Sequence, residues 1–254
     1  MLIALVSLAG RKWGPSVAGW LLGLPLNSGP ILLFLFLEQG PRFTAEAARG
    51  SLLGILAWAA FCLTYAFCCM KMPWWWSTLT GWIAYCVAAV ALLPLKLSVT
   101  WAFAFVTVVL AGTLLGFPKA PQPDTVTGDA PPRDLWLRML TASVMVVTLT
   151  GVAKALGPTR SGILSAFPAY TTILAVFSHR HGPAPAVKTL KGVTAGLFTA
   201  ATFFLALSTS LMRLSGTRSF GLAAAAALLV QAVSLLFIRR DGLMPRQSNA
   251  GGAV

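Results

Sequence analysis

Apolar residues gather in nine stretches, at 1–10, 16–37, 50–69, 75–95, 98–117, 135–156, 161–178, 192–212 and 220–238, separated by short basic or turn-forming segments. A helix needs about 20 apolar residues to cross a bilayer, and the second to ninth stretches meet that length closely enough. The first is about half a span, and it lacks the basic n-region and A-x-A cleavage site of a signal peptide. The pattern predicts an all-α fold, a polytopic membrane bundle of about nine transmembrane helices.

One segment breaks the rhythm. Residues 119–133 read KAPQPDTVTGDAPPR, rich in Pro, Asp and Thr with no apolar face, which predicts a solvent loop joining two halves. Four regions follow: 1–117, a membrane unit with an extra helix; 118–134, the loop; 135–240, a second membrane unit; and 241–254, a polar, Gly-rich flexible tail.

Composition agrees with the pattern and removes other classes. The 254 residues are 57% hydrophobic and 10% charged, with a mean hydropathy of +0.80, against about 25% charged in soluble domains. A water-soluble globule and a disordered chain are both excluded, and four cysteines are too few for a disulfide scaffold. Nineteen basic residues against six acidic give +13. In a soluble chain that excess points to nucleic acid; here the cations flank apolar stretches, so the expected partner is the lipid bilayer and not nucleic acid. With nine crossings, one side receives 12 of the 19 cations (Arg11, Lys12, Lys71, Lys119, Arg133, Arg138, Arg180, Lys188, Lys191, Arg239, Arg240, Arg246). The other receives Arg42, Arg49, Lys96, Lys154, Arg160, Arg213 and Arg218. The richer side is the cytoplasmic one by the positive-inside rule, which puts the N-terminus outside and the C-terminus in the cytoplasm. Trp74, Trp75 and Trp76, next to Met72-Pro73, read as interfacial anchors.

The chain also matches itself. Gly14-Pro15 through Gly19 aligns with Gly157-Pro158 through Gly162 at an offset of 143, and Leu21, Pro25 and Phe34 meet Leu164, Pro168 and Phe177 at the same offset. One residue fewer near Gln39 makes the offset 142. Gly40, Pro41, Gly50, Gly54, Phe61 and Leu63 then meet Gly182, Pro183, Gly192, Gly196, Phe203 and Leu205. Coincident Gly and Pro carry more weight than coincident Leu, because each imposes a backbone requirement. Five spans precede the second unit's first helix, an odd number, so the two units are expected as inverted repeats. In secondary transporters the site lies at the interface of such repeats. The short first stretch fits either a first helix cut short or a chain that begins upstream of Met1, the second being slightly preferred.

Both copies of the second helix are interrupted by proline. Pro25 and Pro168 each free a carbonyl, and polar residues follow: Asn27 and Ser28 in one copy, Tyr170, Thr171 and Thr172 in the other. These seven residues are the candidate solute-binding set. Glu38 joins them as an acid whose neighbourhood matches the His179-Arg180-His181 segment of the other unit. Few carboxylates lie near the spans, so a carboxylate relay is not expected. No HExxH, GxSxG or Walker sequence occurs, and the two His lack ligand spacing, so no enzyme activity, metal or cofactor is expected. Cys62, Cys68, Cys69 and Cys86 read as small core residues.

The residues Ala18-Gly19…Leu24-Pro25 and Ser161-Gly162…Phe167-Pro168, each followed by an apolar run, resemble the GlpM-type family. Those are small inner-membrane proteins of bacteria linked to alginate (exopolysaccharide) production. The resemblance covers about 14–66 and 135–211 and implies two such units in tandem in a bacterial inner (plasma) membrane. Asn27-Ser28-Gly29-Pro30 departs from it. Two functions are expected from the whole. The first is a permease moving a small, anionic solute between the broken helices. The alternative is a non-transporting accessory of an envelope or exopolysaccharide assembly, working as a homo-oligomer or against a membrane partner through a small-residue face at 221–227.

Overall fold

Three Gly-Pro pairs decide where helices begin. Gly14, Gly40 and Gly182 have φ of 93°, 82° and 111° with ψ of 164°, 179° and 166°. That corner of backbone space is essentially closed to residues bearing a Cβ. The proline that follows cannot continue a preceding helix, yet its fixed φ suits a first helical turn. Each pair therefore ends one direction of travel and starts another.

The computed structural model describes residues 6, 9, 13–25, 28–95, 97–119 and 167–240, with 235–240 described as backbone only. Among them are seven helices and no strand. They are α1 (Pro15–Leu22), α2 (Ser28–Cys68), α3 (Trp74–Leu92), α4 (Val99–Leu115), α5 (Ala169–His179), α6 (Pro183–Ser210) and α7 (Gly216–Arg240). α2, α3, α6 and α7 are long and apolar enough to cross a membrane, and α4 is a shorter apolar helix. The expected span 135–156 and the tail 241–254 lie outside the described residues, as do the stretch 1–10 except Val6 and Ala9 and the loop 118–134 except Pro118 and Lys119.

Several boundaries differ from the hydropathy pattern. The expected span 16–37 is divided between α1 and the first arm of α2, with a non-helical turn after Leu22. α2 itself bends at Gly40 into arms 28–39 and 41–68. Arg42, Arg49, Lys188 and Lys191, expected in connections, lie within helices. Hydropathy trims such turns because they carry charge, but long basic side chains lay apolar stems on a helix while the charged head reaches out. α6 thus begins at Pro183, nine residues before the expected span, and has 28 residues.

The centre is the pair formed by α6 and the second arm of α2. Two thirds of the most apolar window of each is buried within the protein, against 22% for α3 and α7. The pair is antiparallel: Ser208 Oγ donates to Ala45 O at 2.9 Å, while Cys62 and Thr194 share a side-chain hydrogen bond further along. Phe61, Tyr65, Leu190, Leu197, Phe204 and Leu207 fill the core around it. α3 returns along the second arm, bringing Gly81 against the Phe61 ring. α4 starts where Arg49 Nη1 reaches Leu97 O at 3.3 Å. Outward-facing Phe34, Ile83, Val87, Trp101, Val108, Leu228 and Leu229 are exposed, which suits a chain solvated by lipid.

α1 docks on α6 by backbone contact. A Cβ on Gly19 would sit 2.0 Å from Thr189 O, and one on Gly192 would sit 2.1 Å from Ser16 O. One on Gly196 would sit 2.5 Å from Trp20 O and 2.8 Å from Gly23 Cα. Between lipid-solvated helices there is little hydrophobic drive, so close packing of small residues supplies the association. Gly196→Ala is expected to lower stability by about 1–3 kcal/mol, the usual cost of overpacking. Gly112→Ala, where a Cβ meets nothing within 4 Å, is expected to be neutral or to gain up to about 1 kcal/mol. Thermal unfolding of the purified variants in detergent reads both, and equal midpoints would contradict the docking.

Candidate functional site

The half-length helices α1 and α5 touch. α1 runs parallel to α6, its Ser16 at Gly192 and its Gly23 at Gly196. α5 runs the opposite way, its Ser178 hydroxyl bonded to that of Thr189 at 3.0 Å just before the Gly182 turn. The C-terminus of α1 and the N-terminus of α5 therefore meet the middle of the bundle together, near the level where Cys62 faces Thr194.

Each half-helix is finished differently. At the end of α1, Gly23 N and Leu24 N donate to Trp20 O and Leu21 O. Trp20 O also receives Gln231 Nε2 of α7 at 3.3 Å. Gln231 accepts the Thr199 hydroxyl through Oε1, and Trp20 Nε1 donates to Ser234 Oγ at 2.8 Å. One buried amide thus satisfies a carbonyl that the interrupted helix leaves without its full complement. Pro25 is half-buried at this turn, and Pro25 O accepts Gly29 N at 2.8 Å as the chain re-enters helix. Ser28 is buried at the start of α2, and Gly29 lies beside Phe203 of α6.

At the start of α5, Pro168 has φ −78° and ψ 50°, and Ala169 N bonds Phe167 O at 2.8 Å, the geometry of an inverse γ-turn. Two indoles then cover the first helical turn. Trp58 Nε1 of α2 donates to Thr171 Oγ1 and Trp82 Nε1 of α3 to Thr172 Oγ1, each at 3.2 Å. Thr172 Oγ1 in turn donates to Pro168 O at 2.7 Å. Phe167 packs against Tyr85 and Trp82, with ring centroids 5.1 and 6.1 Å apart. Thr171 and Thr172 are buried and Tyr170 half-buried. The arrangement is a helix N-terminus in an aromatic enclosure, its described polar groups neutral.

Of the sequence-derived set, Pro168, Tyr170, Thr171 and Thr172 come together here, while Pro25 and Ser28 flank the end of α1. Asn27 lies outside the described residues. Glu38 does not join them: it sits exposed two residues before the Gly40 turn, far along the first arm. A carboxylate at a helix end is most cheaply left in water. Sequence reasoning missed Trp58, Trp82 and Gln231. The signal was present, since each puts a hydrogen-bonding group at mid-span where lipid offers no partner.

Charge divides by end. Lys71, Lys119, Arg180, Lys188 and Lys191 lie toward the end that holds the α2–α3 and α5–α6 connections, and Arg42, Arg49, Arg213 and Arg218 toward the end that holds the Gly40 turn. Trp74, Trp75 and Trp76 begin α3 at the former end, exposed, with Trp75 and Trp76 stacked at 4.7 Å. Among the described residues no three His, Cys, Asp or Glu come together as a metal site would require.

The indole bonds at α5 can be tested alone. Trp58→Phe and Thr171→Val each remove one partner and leave a buried group without its bond, at about 1–3 kcal/mol apiece. The double variant is expected to cost less than the sum, with a coupling of roughly 0.5–1.5 kcal/mol in a double-mutant cycle of unfolding free energies. Strict additivity would mean that the two side chains do not interact. Compared with known proteins, the chain matches no family model, no curated protein and no solved structure.

Proposed function

We propose that the protein is a membrane permease that moves a small anionic solute through the middle of the bundle, between the C-terminus of α1 and the N-terminus of α5. The observation that carries this reading is the meeting of two half-length helices at one level, with hydroxyl groups and a helix N-terminus there. Interrupted helices in corresponding places are how many transporters build a midplane site, and a helix N-terminus favours a negative group.

The reading includes an inverted duplication. The second arm of α2 covers 41–68 and α6 covers 183–210, the same 28 positions at an offset of 142, each opening on a proline that follows a positive-φ glycine. The two run antiparallel, as inverted copies would. At the 143 offset α5 matches residues 26–36, which include the start of the first arm of α2, while the positions matching α1, 158–165, lie outside the described residues. The remaining crossings of a nine-span chain, with the N-terminus outside and the C-terminus cytoplasmic, belong to the same proposal, as does a kinship with the GlpM-type family. The lysine-rich end, at Lys71 and Lys188, is then the cytoplasmic one.

Two measurements test it. In proteoliposomes, Thr171→Ala is expected to cut anion flux about tenfold, equivalent to one hydrogen bond of about 1.4 kcal/mol. Thr171→Ser, which keeps the hydroxyl, is expected to retain flux. Absence of flux for every anion tried favours the accessory role in an envelope assembly instead. Lys71 and Arg213 stand at equivalent positions by the 142 offset. In a cysteine-free background, Lys71→Cys and Arg213→Cys are expected to react with an impermeant maleimide from opposite sides of the membrane. Labelling from one side would overturn the inverted arrangement.

A further inference from the structure

α5 carries a second polar contact at its other end. His179 Nδ1 lies 3.3 Å from the hydroxyl of Tyr65 on α2, their rings meeting edge to face at 5.8 Å. The imidazole also reaches the backbone of Cys69. Tyr65 is fully buried and shares a side-chain hydrogen bond with Thr78 of α3, whose own hydroxyl donates to Trp74 O at 2.7 Å. A chain of groups thus runs from imidazole to phenol to threonine to a carbonyl, linking α5, α2 and α3.

Packing alone does not call for this pair. At the offsets that relate the two units, the positions matching His179 and Tyr65 are Phe36 and Leu207, both apolar. The titratable and charged groups around the imidazole are Tyr65 from α2, Cys69 just past its end, Arg180 and His181 from its own connection, and Lys188 one residue from Thr189 on α6. α3 contributes the hydroxyl of Thr78.

We infer that His179 and Tyr65 form a proton-binding site that couples the ionisation of the imidazole to the position of α5, making the proton the coupling ion. For that role the inference rests on the permease reading. The exchange balances. In the neutral state Nδ1 accepts a hydrogen bond from the Tyr65 hydroxyl, which keeps its proton. A proton arriving on Nδ1 turns it into a donor, and Tyr65 reverses, accepting from the imidazolium and donating to Thr78. Thr78 Oγ1 has its own proton on Trp74 O and a lone pair free to accept. The proton is taken up without orphaning any group, but the His179–Tyr65 bond changes direction. α5 is an 11-residue helix, so a shift at His179 is carried two turns back to Thr171 and Thr172 and their indoles. Partial burial holds the imidazole below its ordinary value, which favours the neutral form, and acidification adds the proton.

The chain has only two histidines, which makes the test direct. Full-length protein labelled with 15N-histidine and 15N-tryptophan is titrated by NMR in detergent, with His181→Gln assigning the His179 signal and Trp58→Phe and Trp82→Phe assigning the indoles. His179 is expected to titrate below the ordinary imidazole value, and Tyr65→Phe to displace its midpoint. The Trp58 and Trp82 indole signals are expected to move with that midpoint in the wild type and to stay fixed in His179→Gln. A His179 whose signal does not titrate while the protein stays folded, or indole signals indifferent to its titration, overturns the proposal. The readout involves no solute. Coupled titration without flux would sink the permease reading and keep the proton site, whereas flux with pH-indifferent indoles would sink the proton site alone.

Discussion

Everything in the bundle depends on how closely two backbones approach. α1 has eight residues, too few to hold itself in place in lipid, where apolar area gives no preference for a neighbour over a chain of lipid. It stays because Ser16, Gly19 and Gly23 meet Gly192 and Gly196 with no side chain between. That contact fixes where α1 stops and brings Trp20 O within reach of Gln231. It also sets the height of the interruption against α6. Loosening it would move the mid-bundle end of α1 away from that of α5, and the shared level of the two ends would be lost.

The two interruptions are satisfied by opposite means. At the end of α1 the spare acceptor is a carbonyl, and a donor comes to it from the buried amide of Gln231. At the start of α5 the hydroxyls of Thr171 and Thr172 accept from indoles on two other helices, so the aromatic residues position the turn as well as enclose it. Neither end could be left bare in a low-dielectric interior, where an unpaired polar group costs several kcal/mol. The arrangement is therefore held by α2, α3 and α7 together, and the small helices contribute position more than stability.

Much of this was legible in the sequence, and the reasons are local. Gly-Pro pairs state a backbone demand in two letters, so Gly40-Pro41 and Gly182-Pro183 stood out as matched positions, although the turns they make were not placed from the sequence. Pro168 with Thr171 and Thr172 likewise marked a polar turn inside an apolar stretch. Helix ends were less readable where basic turns extend a helix beyond its apolar part, as at Lys188 and Lys191. Partners were the least readable. Nothing near Trp58 says that Thr171, more than a hundred residues away, will accept its hydrogen bond, and Glu38 resembled a site residue only because its neighbourhood matches the His179-Arg180-His181 segment. Pairing across the bundle is a property of packing, and one sequence states it only indirectly.

The length of α6 has one more consequence. Twenty-eight residues make a rod of about 42 Å, some 12 Å longer than a typical hydrocarbon core. Lys188 and Lys191 indicate at which end the surplus stands clear. Thr189, and with it the Ser178 bond that leads to His179, then falls at the edge of the oil and not within it. A charge there is paid for at the cost of an interface, among headgroups and water, and far below that of the bilayer centre. The titratable end of α5 is at the margin of the membrane while its hydroxyl end is at the middle, so the short helix spans a steep gradient of dielectric and joins the one place to the other.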